Sequence, residues 1–294
     1  MPVSRRTLVV ALSLTPGIGG RTVTRVLTRN DLLGRTIEEF LRLGEEALRE
    51  EYRFTKKAAG EWIADVKGRI KDAERLQKRL DGYDVEIVST ADAHYPRRVE
   101  AMDPDPPGVL FLYGNARLLD GRTFCVMSSR KSPPAALEQI ERVVEEGVLD
   151  GRVLVSGHDT PEYQRGAVVP LRWGAPRILV LDQGFFQVFG EDLNEEPFRA
   201  ARLWRYKFDT KTDLAVTWVS PEQGYHPNSN RMRDGLVASL SHSLDFVCVA
   251  PGGNMDRLAK QALRAGRQVR VSPLADQKSA LAALGATELA LDRT

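Results

Sequence analysis

Thr123-Phe124-Cys125-Val126-Met127 runs into Ser128-Ser129-Arg130-Lys131-Ser132, and some twenty residues later Arg152-Val153-Leu154-Val155 runs into Ser156-Gly157-His158-Asp159. Each half is a short, continuous apolar run that stops at a small polar loop. Between them lies a segment of helical character: Ser132 is placed to cap it, Pro134 suits its first turn, Leu137, Ile140, Val143 and Val144 line one face, and Gly147 ends it. Two fully apolar strands joined by a crossover helix predict parallel neighbours. Loops at the carboxyl ends of such neighbours lie side by side and form a ligand crevice.

The same alternation continues outward from this stretch. Strands are expected at Ile178–Asp182, Leu214–Trp218, Phe246–Ala250 and Gln268–Val271. A short helix is expected from Pro161, with longer ones at Met232–Leu240 and Met255–Leu263 and a last one near Ser279–Leu284. Apolar runs alternating with helices predict a doubly wound, mostly parallel α/β sheet covered on both faces. Residues 85–294 are assigned to this domain, and residues 1–84 to a small helical domain before it.

In that first domain Leu8–Leu14 reads as a helix broken by Pro16-Gly17-Ile18-Gly19-Gly20, with a second helix from Arg21 to about Thr28. A Gly-Ile-Gly turn between helices has two readings. It is the outline of a helix-hairpin-helix, whose turn amides hold a DNA phosphate, or a tight turn that needs glycine dihedrals. Ile63, Val66, Ile70, Ala73, Leu76 and Leu80 recur at three- and four-residue steps and predict one amphipathic helix closed by Gly82. Its mixed-charge outer face is a solvated one. Val85–Val88 reads as a strand. The prolines between Tyr95 and Gly108 argue against a helix there and for an extended approach to a strand at Val109–Tyr113.

Composition narrows the function classes. The chain has 294 residues, 28% charged and 42% hydrophobic, with a formal net charge of +2. That is the composition of an ordinary folded protein, and nucleic-acid binding has to rest on local basic patches. No window approaches eighteen uncharged apolar residues, so no membrane partner is expected. The basic start and the short apolar run Leu8–Leu12 are read as folded structure in a cytoplasmic protein, not as a secretory leader. Cys125 and Cys248 sit in apolar runs as small hydrophobes. The four histidines lack ligand spacing, so neither a metal nor a cofactor is called for.

Phosphate chemistry is suggested at three strand ends. Ser128-Ser129-Arg130-Lys131 precedes a helix start, where small residues let the backbone approach and arginine grips with two donors. Ser156-Gly157 ends the next strand. Ala250-Pro251-Gly252-Gly253-Asn254 repeats the pattern on a third, though it is neither a Walker A loop nor a dinucleotide fingerprint. Asn228-Ser229-Asn230-Arg231 adds polar residues and a cation at another helix start. The candidate DNA- or phosphate-binding residues are therefore Ser128, Ser129, Arg130, Lys131, Ser156, Gly157, Asn230, Arg231, Gly252, Gly253 and Asn254. His158, Asp159 and Glu162 are weak catalytic candidates only, since no serine or cysteine is placed beside them as nucleophile. Leu203-Trp204-Arg205-Tyr206-Lys207-Phe208 interleaves aromatics with cations, which suits either base stacking or an edge strand with one face buried.

Together these residues resemble the DNA-processing protein A (DprA/Smf) family, whose Rossmann-like core belongs to a wider group that binds nucleotides or nucleic acid. The likeness spans nearly the whole chain. It is carried by Thr15-Pro16-Gly17-Ile18-Gly19, Tyr95-Pro96, Asp105-Pro106-Pro107-Gly108-Val109-Leu110-Phe111, Ser128-Ser129-Arg130, Ser156-Gly157, Ser229-Asn230-Arg231-Met232 and Ala265-Gly266-Arg267-Gln268-Val269. The resemblance implies a Rossmann-like core preceded by a SAM- or helix-hairpin-helix-like domain. It further implies a non-enzymatic homodimer that binds single-stranded DNA and assists a RecA-like recombinase in DNA uptake or repair. The chain departs from the family at His158–Ala167, where the family's Gly-Ile-Asp and Ala-His are missing. It also departs at Pro251-Gly252-Gly253, which is similar to nucleotide phosphoribohydrolases without their following Gly-Thr. Those departures keep open a nucleotide-binding or nucleotide-hydrolysing sensor, and an interaction module with a decayed pocket.

Overall fold

The computed structural model describes residues 3–290. Its chain divides into two units: residues up to Tyr95 with Asp105–Leu112, and Pro96–Pro104 with everything from Tyr113 onward.

The first unit is built on six helices: α1 (Arg5–Ser13), α2 (Gly20–Leu33), α3 (Ile37–Leu41), α4 (Glu45–Glu50), α5 (Lys56–Ala64) and α6 (Val66–Leu80). Strand β1 (Val85–Ser89) follows, and β2 (Val109–Gly114) begins in this unit and enters the second at Tyr113. The amphipathic helix expected through Ile63 and Leu80 is two helices. Asp65 takes an extended φ of −154°, and its carboxylate accepts from the Gly68 amide, ending α5 and capping α6. The break leaves Ile63 exposed, while Ala73, Leu76 and Leu80 are buried as their spacing predicts. The Gly-Ile-Gly turn joins α1 to α2 with Gly17 at φ +82°. At Gly20 an added Cβ would fall 2.0 Å from the Pro106 carbonyl oxygen. Dihedral need and backbone packing thus account for these glycines without a DNA phosphate.

The second unit starts with α7 (Arg97–Met102), a helix where the prolines argued for extended chain. Pro96 occupies its N-cap, a position proline tolerates, and Asp103 leaves the helix just before Pro104. Then come β3 (Thr123–Met127), α8 (Pro134–Leu149), β4 (Val153–Ser156), α9 (Pro161–Ala167), α10 (Val169–Arg172), β5 (Arg177–Val180), α11 (Phe185–Phe189) and β6 (Leu214–Thr217). The chain continues through α12 (Ser229–Ser239), β7 (Ser243–Phe246), α13 (Asn254–Arg264), β8 (Gln268–Val271), α14 (Lys278–Ala282) and β9 (Thr287–Glu288). The seven strands run in the order β6-β5-β4-β3-β7-β8-β9, and every pairing among them is parallel. This is the doubly wound, Rossmann-like arrangement expected. From β3 the chain builds outward to β6, then returns to β3 and builds the other way from β7. The topological switch point lies between β3 and β7, where such sheets leave a crevice at the strands' carboxyl ends.

Three local expectations shift. Strand β7 ends at Phe246, so Val247–Ala250 is loop. The buried charge of Asp245 disguised the strand; it is paired by Arg270 of β8 at 2.7 and 2.8 Å. The N-cap of α8 is Pro133, because the Ser132 hydroxyl is committed to the Ser129 carbonyl at 2.7 Å. Gly147 lies inside α8, not at its end. The Phe124 ring fills the place of a side chain there, 2.3 Å from where a Cβ would stand. Gly147→Ala should therefore destabilise the protein by about 1–3 kcal/mol by overpacking the β3–α8 core, read as a lower urea midpoint at unchanged slope. Burial pushes the Cys125 thiol up to about 12, and it packs as a small hydrophobe. No helix among the described residues is long and apolar enough to cross a membrane.

Candidate functional site

At the switch point the loops after β3 and β7 are fastened to each other. The Ser129 amide donates to the Cys248 carbonyl (2.8 Å), the Cys248 amide to the Ser128 hydroxyl (3.1 Å), and the Ala250 amide to the Ser129 hydroxyl (3.1 Å). The Ser128 and Ser132 hydroxyls share a further bond of 2.7 Å. Small hydroxyl residues at the end of β3 thus align the edge of the β7 loop, which also explains why Val247–Ala250 is apolar yet leaves the ladder.

Above this seam is a chamber of about 650 Å³ lined by Ser128, Ser129, Arg130, Asn230, Arg231, Gly252, Gly253, Asn254 and Arg257, among others. Arg130 and Arg231 are exposed at its mouth. Gly252, at φ +68°, turns the chain into α13, whose N-cap Gly253 offers no side chain to the first turn's amides. Open amides at a helix start and guanidinium groups around one space are the elements of an anion seat. Arg257 was not among the sequence candidates. Its guanidinium is held by the Asn254 side-chain oxygen (2.9 and 3.3 Å) and the Gln261 oxygen (2.9 Å). Burial, followed by the nearby charge of Arg231, lowers its pKa. The i, i+3 spacing from Asn254 was the available signal for it.

The floor is a buried polar hub. Asp234 accepts from the Tyr163 hydroxyl (2.8 Å), from Arg233 Nε (2.8 Å) and from the Asn254 amide (2.7 Å). Arg233, nearly fully buried, also pairs with Asp159 and lies 4.7 Å over the Tyr163 ring. Asp234 therefore reaches Arg257 through Asn254, fixing the chamber's inner cation from α12. Gly157 belongs to this packing: an added Cβ would meet the Tyr163 ring at 2.8 Å and Arg233 at 3.0 Å. Ser156 is buried, its hydroxyl donating to the Gly157 carbonyl at 3.0 Å. Neither residue lines the chamber.

A second chamber of about 730 Å³ adjoins the first and shares Arg130, Thr160 and Asn230 with it. It also presents Lys131, Asp159, Glu162, Asp182 and Tyr225. In the amide orientation that satisfies all its neighbours, Asn230 accepts from Arg130 (2.7 Å) and Tyr225 (2.9 Å). Its nitrogen then donates to Asp182 (2.8 Å) and Asp159 (3.3 Å). Burial raises the pKa of Asp182, with Asp234 adding to the rise and Arg130 opposing it. Lys131 holds a left-handed φ of +63° in the turn between β3 and α8.

The three weak catalytic candidates are engaged elsewhere. Glu162 accepts from the Ser132 amide (3.0 Å), and Asp159 pairs with Arg233. His158 is buried, and burial together with the Arg233 charge pushes its pKa down to about 4, so it is neutral near pH 7. The aromatic and cationic residues 203–208 lie outside both chambers. Arg205 pairs with buried Asp213, and Phe208 packs 4.6 Å from Phe189 and 5.7 Å from Tyr113. Phe208 is buried, but Leu203, Trp204, Tyr206 and Lys207 are exposed and no strand forms over residues 203–208, so the expected edge strand with one buried face is not found.

The model of the DNA recombination-mediator protein A family matches residues 86–289. DNA processing protein A (DprA) from Streptococcus pneumoniae superposes with a TM-score of 0.73 at 18% identity, covering 98% of this chain and 95% of that one. DNA processing protein A from Helicobacter pylori, solved for its single-stranded DNA binding mode, gives a TM-score of 0.49 at 15% identity, over 65% of this chain and 81% of that one. No curated protein sequence matches the chain.

Proposed function

This chain belongs to the DNA recombination-mediator protein A family, and from that premise we propose that it binds single-stranded DNA at the switch point of its parallel sheet. A backbone phosphate sits in the chamber between the ends of β3 and β7, gripped by Arg130, Arg231 and Arg257 and by the open backbone amides of α13's first turn, from Asn254 onward. The observation that carries the proposal is the convergence of these three arginines, from three separate segments, on one chamber at a helix start. The protein in this reading acts without catalysis, as a homodimer that hands its strand to a RecA-like recombinase. In this reading the helical domain of residues 1–84 is accessory, and the binding site lies in the second unit.

Phosphate binding releases counterions, so affinity for an oligothymidylate should fall steeply as salt is raised. Arg130→Ala should weaken binding evenly across sequences. It should also flatten the plot of log affinity against log salt by about 0.7 for each phosphate that is no longer neutralised. Fluorescence anisotropy at several salt concentrations measures both effects. Binding that ignores salt, or a variant that matches the parent, would refute the proposal.

A free nucleotide is the alternative occupant, favoured by the second, carboxylate-bearing chamber beside the first. Competition decides: a mononucleotide that displaces the oligomer at micromolar concentration supports the nucleotide reading, and none at millimolar concentration supports the strand.

A further inference from the structure

The phosphate seat uses only one of the two chambers, and the other sets the carboxylates of Asp159, Glu162 and Asp182 beside Arg130 and Lys131. Asp182, two residues beyond the end of β5, is 2% exposed yet lines that second chamber. An ionised carboxylate is an acceptor on both oxygens, so it favours a ligand group that donates. Around it the chamber offers Leu137, Pro161 and the half-exposed ring of Tyr225, apolar surfaces suited to a flat ring. Asn230 ties the two chambers together, accepting from Arg130 on one side and donating to Asp182 on the other. A phosphate held by Arg130 therefore leaves its own nucleoside beside Asn230 and Asp182.

We infer that Asp182 is a specificity determinant that favours bases carrying an exocyclic amino group, cytosine over uracil, in the chamber next to the phosphate seat. Cytosine presents its N4 amino group, a donor that carboxylates accept in base readout. Uracil places a carbonyl oxygen at the same position and flanks its one N–H with a second carbonyl, so a carboxylate meets repulsion on both sides of the only donor. The inference rests on the single-stranded-DNA reading above and adds to it a preference that phosphate binding alone does not give, since the phosphates carry no sequence information.

Deoxycytidine and deoxyuridine decamers separate the two readings, because they share a backbone and differ at the base edge. Anisotropy titrations of the full chain at about pH 8, where cytosine N3 is unprotonated, should give roughly fivefold or tighter binding of the cytidine oligomer. Asp182→Asn, which exchanges one acceptor for a donor, should bring the ratio of the two affinities close to one, whatever it does to either affinity alone. Asp182→Ala should do the same. Equal binding of both oligomers by the parent protein overturns this inference and leaves the phosphate reading standing. A preference that survives in both variants overturns it as well. Failure to bind either oligomer overturns the inference and the phosphate reading together.

Discussion

Replacing Arg177 by methionine is expected to lower the stability of the protein by about 3–5 kcal/mol, the usual cost of stranding a buried charge. Arg177 opens β5 with its side chain fully buried. Its Nε donates to Asp213 at 2.9 Å, one terminal nitrogen pairs with Glu196, and the other donates to the Ala167 carbonyl at 2.9 Å. Both carboxylates are as deeply buried as the arginine. Arg205 supports them from the rim, pairing with Asp213 and lying 3.7 Å from Glu196. Burial already raises the pKa of Glu196, with Arg177 opposing the rise. Without that guanidinium, Glu196 has to bind a proton or stay charged without its main partner. Methionine keeps the apolar stem, so the measured loss reports the charge and its hydrogen bonds, not lost packing. Urea unfolding at pH 7 gives the number, and a loss below about 1 kcal/mol would show that Arg205 alone satisfies both acids. Adding Glu196→Gln and Asp213→Asn should restore part of the loss by removing the charges left behind.

This network also shows where the sequence stops being legible. Residues 185–211, the less regular section between β5 and β6, have the short α11 as their only α-helix and carry no sustained helical or strand period, because much of what holds them is a set of charges far apart in the chain. Arg177 reaches Glu196 nineteen residues on and Asp213 thirty-six residues on. No local pattern encodes such pairs. Strands β3 and β4 were legible because both are buried on two faces, which leaves an uninterrupted apolar run bounded by small polar residues. Strand β7 was misplaced by several residues for the opposite reason: its ladder contains Asp245, whose charge is cancelled only by Arg270 on the neighbouring strand. The site divides in the same way. Ser128, Ser129, Gly252 and Gly253 could be read, since strand ends and helix starts leave local marks. Arg257 leaves only the faint mark of its i, i+3 spacing from Asn254, since its importance comes from the Asp234–Asn254 link that aims it. Ser156 and Gly157, read as pocket residues, turn out to support the floor on which Tyr163 and Arg233 lie.

His158 offers the second large effect, and it is one of pH. Its folded-state value of about 4 lies below the value near 6.5 that an exposed histidine has in an unfolded chain. Between those limits the unfolded chain binds a proton that the folded one refuses. The contribution is therefore complete above about pH 6.5 and is lost as the pH falls toward 4, by about 3 kcal/mol in all. The physical reason is local. His158 is buried, its Nδ1 has no hydrogen-bond partner among the described residues, and the charge of the Arg233 guanidinium acts on it, so a second cation there is opposed by both burial and repulsion. Paired carboxylates titrate across part of the same range, so the test is a difference. Unfolding free energies of the parent and of His158→Gln, measured from pH 7 to pH 4, should diverge, with the parent losing up to about 3 kcal/mol more than the variant. The site should feel the same proton, because the next residue, Asp159, anchors Arg233 beneath the phosphate chamber. Oligonucleotide affinity of the parent should then weaken in acid more than that of the variant. If the two stability curves run parallel instead, the acid sensitivity does not come from His158, which is then a buried imidazole that the fold accommodates without cost.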